Sequence, residues 1–121
     1  MRDKILAVVI LLLVIGLTVA NTLLLEKEIS RITSDVESIE IDKYEAKDEA
    51  ERVFDHYMER EHYISLTVSH DDLTRIEEEF CEMISRLKAG DNEEAKVAKD
   101  RLIHSLEHLR RLSGFNIDSI I

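Results

Sequence analysis

The most recognisable catalytic spacing in the chain is His104-Ser105-Leu106-Glu107-His108, which spells H-x-x-E-H. On a helix, two imidazoles four residues apart stand one turn apart and can grip a zinc ion beside a glutamate acting as base. Three features argue against that chemistry here. At 100° per residue, His104 and His108 fall away from the apolar seam of Leu102, Leu106 and Leu109, on the solvent side. The stretch from Leu109 onward offers Asp118 as its single carboxylate. Arg110 and Arg111 would also set positive charge beside the cation. A surface metal clip on His104 and His108 is the lesser alternative.

His70-Asp71-Asp72 is the second polar constellation, and its types suit a metal or an acid–base pair. A simpler account is available. Acids in a first helical turn offset the positive end of the dipole, while Ser69 caps it with Asp72 as capping-box partner. The other role open to these three residues is contact with a partner. Glu77, Glu78, Glu79 and Glu82 form an acidic patch, expected as a solvated helix face. Asp91 to Glu94 lacks the alternating acids of a calcium loop, and no phosphate-binding glycine loop is present. Cys81 is the single cysteine, so no intrachain disulfide can form, and it is expected as a half-buried structural residue. No catalytic, cofactor-binding or metal residue is assigned, and an enzyme is not expected.

The elements that must carry these residues are helices. The 121-residue chain has no Pro, three Gly and 35% charged residues, rich in good helix formers. Ile5 to Leu25 is a run of 21 residues without a charge, close to the roughly 20 needed to span a bilayer as helix. Fifteen of them are Leu, Ile or Val, each contributing roughly −0.3 to −0.6 kcal/mol to insertion, which outweighs Asn21 and two threonines. Arg2 and Lys4 precede the run, whereas Glu26, Lys27 and Glu28 follow it. The positive-inside bias therefore predicts residues 1–4 in the cytoplasm, 5–25 across the cell membrane and the rest outside. A cleaved signal peptide competes, with Thr18-Val19-Ala20 as its cleavage site and Asn21 as the new amino terminus. Leu23, Leu24 and Leu25 resume the apolar run beyond that site and favour a retained anchor.

Leu25, Ile29, Ile32, Val36 and Ile39 recur at spacings of four and three, the seam of a coiled coil or bundle helix. The anchor is expected to continue as a helical stalk over 26–41, which either self-associates along that seam or packs on its own chain. An acidic bundle of about three further helices is expected over 42–114. Asp42, with Glu45 as its capping-box partner, opens the first, which carries Ala46, Ala50, Val53, Phe54, Tyr57, Met58 and Ile64 and ends around Leu66 to Val68. The second carries Leu73, Ile76, Phe80, Met83, Ile84 and Leu87 and closes at Gly90. Asp91 or Asn92 caps the third, with Ala95, Ala98, Leu102, Leu106, Leu109 and Leu112 on one stripe and Gly114 at its end. Residues 115–121 form an apolar tail with Phe115, Ile117 and Ile120, expected to dock on the bundle or to contact a partner or the membrane. Asp42 to Lys47 and Asp91 to Lys96 are alike, which either two similar helix starts, the simpler account, or duplication of a helical unit would explain. The fold class is all-α.

Outside the first four residues, 14 basic side chains face 25 acidic ones. That balance repels nucleic-acid phosphates and anionic lipid headgroups, so no nucleic acid is expected.

Tyr63 to Leu73 resembles the central motif of the domain of unknown function 4363 family, small membrane-anchored helical proteins of spore-forming Firmicutes. The matching pieces, in order, are Ser65-Leu66, His70-Asp71-Asp72-Leu73, Gly90-Asp91, Ala95 and Asn116-Ile117. Members often carry Trp in the second helix, where this chain has Tyr57. The resemblance implies a bacterial envelope protein, with a link to the spore, and implies no chemistry. The function expected is a non-catalytic interaction or scaffold module in the envelope, partnered by the bilayer and by another membrane protein. The alternatives are a small metal-dependent enzyme using His104, Glu107 and His108, and a coiled-coil homodimer.

Overall fold

A computed structural model describes residues 1–64 and 70–120, the side chains at 62, 63 and 113–120 excepted. It is all-helical, with α1 over Arg2–Glu37, α2 over Ala46–Ile64, α3 over His70–Lys88 and α4 over Asn92–Ile120. α1 packs on α2 and α4, and α3 packs on the same two, so the helices close a ring with α1 and α3 on one diagonal. Short turns join α1 to α2 and α3 to α4, which makes successive helices antiparallel.

The two ends of α1 have opposite surroundings. From Ile5 to Leu17 the large apolar side chains are 39–70% exposed. From Thr22 onward, Leu25, Ile29, Ile32, Thr33 and Val36 are buried against the other helices. The stalk expected over 26–41 is thus a wall of the bundle. The seam, expected either to pair two chains or to pack on its own chain, is buried within one chain. Thr18, Thr22 and Thr33 each donate a side-chain hydrogen bond of 2.8 Å to the carbonyl four residues earlier. Their hydroxyls are therefore satisfied without water.

α1 stops four residues sooner than expected, because Ile39 and Ile41 leave the helix to plug the end of the core. The chain must cross the bundle end in irregular backbone, so α2 begins only at Ala46 and Asp42 is not its cap. Asp42 instead pairs with Lys96 at 2.9 Å. The two similar sequence segments therefore have different structures. Lys99 of α4 reaches across the same end and donates to the carbonyls of Glu37 (3.1 Å) and Ile39 (2.7 Å). A lysine from another helix thus serves carbonyls that the end of α1 leaves without helical partners.

Gly90 closes α3 as expected. Its φ of +76° is left-handed, and the backbone N–H groups of Gly90 and Asp91 donate to Leu87 and Arg86 carbonyls. That pair of bonds is a Schellman motif, which favours glycine because it has no Cβ. Asp91 then caps α4, its Oδ1 accepting from the Glu94 N–H at 3.3 Å. The Ser69 cap and the α2 end near Leu66 to Val68 lie outside the described residues. Gly114 does not end α4, which runs on to Ile120 in place of a separate tail over 115–121. A helix-interior glycine costs only about 1 kcal/mol relative to Ala, and no Pro enforces a stop.

The core is built from the expected stripes, except that Met58 and Leu112 at their margins are exposed, and Tyr57 and Phe80 are among its largest fully buried side chains. Phe80 packs at 5.3 Å from Phe54 and 5.2 Å from Tyr57, ring centre to ring centre, joining α2 to α3. The Tyr57 hydroxyl faces the Leu73 carbonyl at 3.5 Å, and burial raises its pKa.

Two stability measurements on the full chain in detergent follow. Lys99→Met should cost about 1–3 kcal/mol by stranding the partly buried Ile39 carbonyl, whereas Lys96→Met, which removes an exposed pair, should cost under about 1. Ile32→Ala should cost about 2–5 kcal/mol through a core cavity, with a melting temperature independent of protein concentration. A concentration-dependent melt would restore the homodimer.

Candidate functional site

Two surfaces stand out, an apolar shaft and a polar groove. The shaft is the first half of α1. It is long and apolar enough to cross a membrane, with its large apolar side chains turned away from the rest of the chain. Where shaft meets bundle, Asn21, Leu24, Leu25, Glu28, Arg60 and Ile64 line a depression of about 230 Å³. Arg60 of α2 faces Glu28 of α1 there at 3.7 Å, a loose ion pair.

The groove lies between α3 and α4. Asp72, Arg75, His104, Ser105, His108 and Leu109 line a depression of about 250 Å³. Its arrangement follows from helix phase. Ser105 sits one position off the α4 seam towards α3, and His104 and His108 lie further out on the same flank. Glu107 turns to the opposite flank and accepts a 2.9 Å hydrogen bond from Arg110. The H-x-x-E-H residues are therefore divided, with the imidazoles over the groove and the carboxylate held elsewhere by a cation. Among the described residues, no group of three His, Cys, Asp or Glu is placed to hold a metal ion.

Glu79 is the most perturbed acid of this region. It is half-buried on α3, and one carboxylate oxygen is buried without a hydrogen-bond partner. Burial raises its pKa, opposed by a hydrogen bond from Ser105 and by Arg75 and Arg101. Neighbouring Glu78 and Glu82 are exposed, the latter 3.8 Å from Arg101, so the acidic patch is largely solvated.

His70 and Asp71 are exposed at the start of α3, and Asp72 is half-buried and reaches the groove. Thr74 donates to the His70 carbonyl at 2.9 Å, holding the first turn. The expected contact side chains Phe115, Ile117 and Ile120 lie outside the described side chains. Cys81 is exposed, not half-buried as expected, because it sits one step beyond Phe80 on the α3 stripe. Sequence reasoning missed Tyr44, which stands wholly exposed on the turn between α1 and α2. It also missed the Glu79–Ser105 link and the Lys99 clamp. Each joins residues that share no periodic pattern, so only the interhelix register reveals them.

The raised pKa of Glu79 has a definite consequence for stability. A carboxyl harder to ionise in the folded state favours folding while protonated, and that advantage is lost as pH rises through its folded value. Glu79→Gln should therefore stabilise the protein at pH 7 and have little effect at pH 4, below the ordinary carboxylate value. Denaturation of both proteins across that range is the check. An equal effect at both pH values would show that burial does not govern Glu79.

No family model matches the chain, and neither a curated protein nor a solved structure is similar to it.

Proposed function

We propose that this protein is a membrane-anchored helical module that works by contact rather than catalysis, holding a small acidic bundle against the outer face of the cell membrane. The observation that carries the reading is the exposed apolar surface of α1 from Ile5 to Leu17. So long an apolar face is costly in water and favourable in lipid. Arg2 and Lys4 before it favour a cytoplasmic amino terminus. Burial of α1 from Thr22 onward supports an anchor retained with its domain, since cleavage after Ala20 would cut just before a helix turn that belongs to the core.

Contact without chemistry is favoured because the groove holds no complete catalytic set and Glu107 is engaged by Arg110. Tyr44, at the end of the bundle away from the shaft, is suited to a partner, since aromatic residues are enriched in interfaces. His70, Asp71 and Asp72 are a second contact candidate. The partner is another envelope membrane protein, and the resemblance to the domain of unknown function 4363 family points to a spore setting. Neither a metal-dependent reaction nor a coiled-coil homodimer is favoured by a specific observation.

Cys81, exposed and the single cysteine in the sequence, is a built-in reporter of sidedness. A membrane-impermeant maleimide should label it in intact cells, with the protein resisting alkaline carbonate extraction. Labelling only after lysis would invert the topology, and release by carbonate would remove the anchor. Crosslinking in the native membrane through a photoreactive residue at Tyr44 should then capture a second membrane protein. Failure to capture any would count against the contact role.

A further inference from the structure

Lys99 of α4 reaches the Glu37 carbonyl at the far end of α1 and sets the register of the two helices. The attraction of Glu26 for Arg110 at the other end agrees with it. Eleven residues separate the two positions on either helix, so the helices run antiparallel at matched rise. Continued downward, that register sets Leu112 level with Leu24, residue 115 level with Asn21 and Ile120 level with Gly16. α4 is helical as far as Ile120, so about ten residues, or roughly 15 Å of helix, pass Arg110. Those levels lie within the charge-free run of Ile5 to Leu25.

The described side chains at this level fit the same boundary. Leu23, Leu24 and Leu112 are 54%, 63% and 40% exposed, an apolar band at the foot of the bundle. Val19 is half-covered and Thr22 buried, so α1 already has a protein neighbour at the depth the register assigns to the end of α4. The sequence beyond Arg111 supplies Leu112, Phe115, Ile117 and Ile120 and a single charge, Asp118. Asp118, level with Thr18 in that register, sets the limit on depth, because it must stay on the outer side of the bilayer centre, where a carboxylate costs about 2.5–3.5 kcal/mol.

We propose that the carboxyl-terminal end of α4 enters the outer leaflet beside α1, so that the protein meets lipid through two helices. This rests on the membrane reading of α1. The occupant of the exposed band around Leu112 is the lipid itself, because the band is continuous with the apolar shaft.

The chain contains no Trp, so a single introduced Trp reports its own depth. Four variants of the full chain, Leu13→Trp, Leu112→Trp, Phe115→Trp and Val97→Trp, are reconstituted in phosphatidylcholine vesicles with brominated acyl chains. Circular dichroism confirms that each is folded. Position 13 should be quenched by deep bromines and position 97, exposed at the other end of α4, by none. Positions 112 and 115 should be blue-shifted and quenched by shallow bromines, with 115 deeper than 112. Quenching at 13 but not at 112 or 115 would overturn the insertion of α4 and leave the anchor standing. No quenching at 13 would overturn the anchor.

Discussion

The structure depends on α1 remaining one unbroken helix across a change of surroundings. Its first half offers apolar surface on every side, and its second half offers a single stripe. With no Pro and with each buried threonine bonded back to its own helix, the backbone has no reason to break where the surroundings change. Everything else is arranged on that rod. α2 and α4 lie against its stripe, α3 bridges those two, and the apolar half projects beyond the ring.

Because the stripe of α1 is part of the core, shaft and bundle cannot move independently as they would on a flexible tether. A force on the shaft is passed to the packing of Leu25, Ile29, Ile32 and Val36. The far end is locked differently. Ile39 and Ile41 plug it, Lys99 serves the carbonyls of Glu37 and Ile39, and Gly90 and Asp91 turn the chain back into α4. The bundle is thus closed by apolar plugging and polar capping at one end and by the emerging shaft at the other. For a chain so small, with limited core to spend, such end closures are a substantial part of its stability.

The polar chemistry lies outside that framework. His104 and His108 share a groove with Asp72 and Arg75, while Glu107 is held by Arg110 on the other flank. A motif that reads as one unit along the chain is split by helix phase. Glu79 shows the opposite case, a residue in an ordinary acidic run that becomes distinctive because α4 brings Ser105 and Arg101 to it, beside Arg75 of its own helix.

Periodicity in the sequence alone determined that the chain is helical, which residues form most of the core and where Gly90 and Asp91 turn it. These are local properties, decided by which side chains share a face and which backbone angles glycine permits. It determined equally that Ile5 to Leu25 is apolar enough to span a bilayer. Only the tertiary structure decided that the seam after Leu25 packs within its own chain, since the same stripe fits a partner helix or a neighbouring one. The failed Asp42 cap and the uninterrupted passage of α4 through Gly114 have the same cause. Local signals there are worth about 1 kcal/mol, and they yield to the burial of Ile39 and Ile41 or to the absence of anything that enforces a stop. The Lys99 clamp and the Glu79–Ser105 link were legible nowhere in the sequence, because long-range register, not spacing along the chain, brings those residues together.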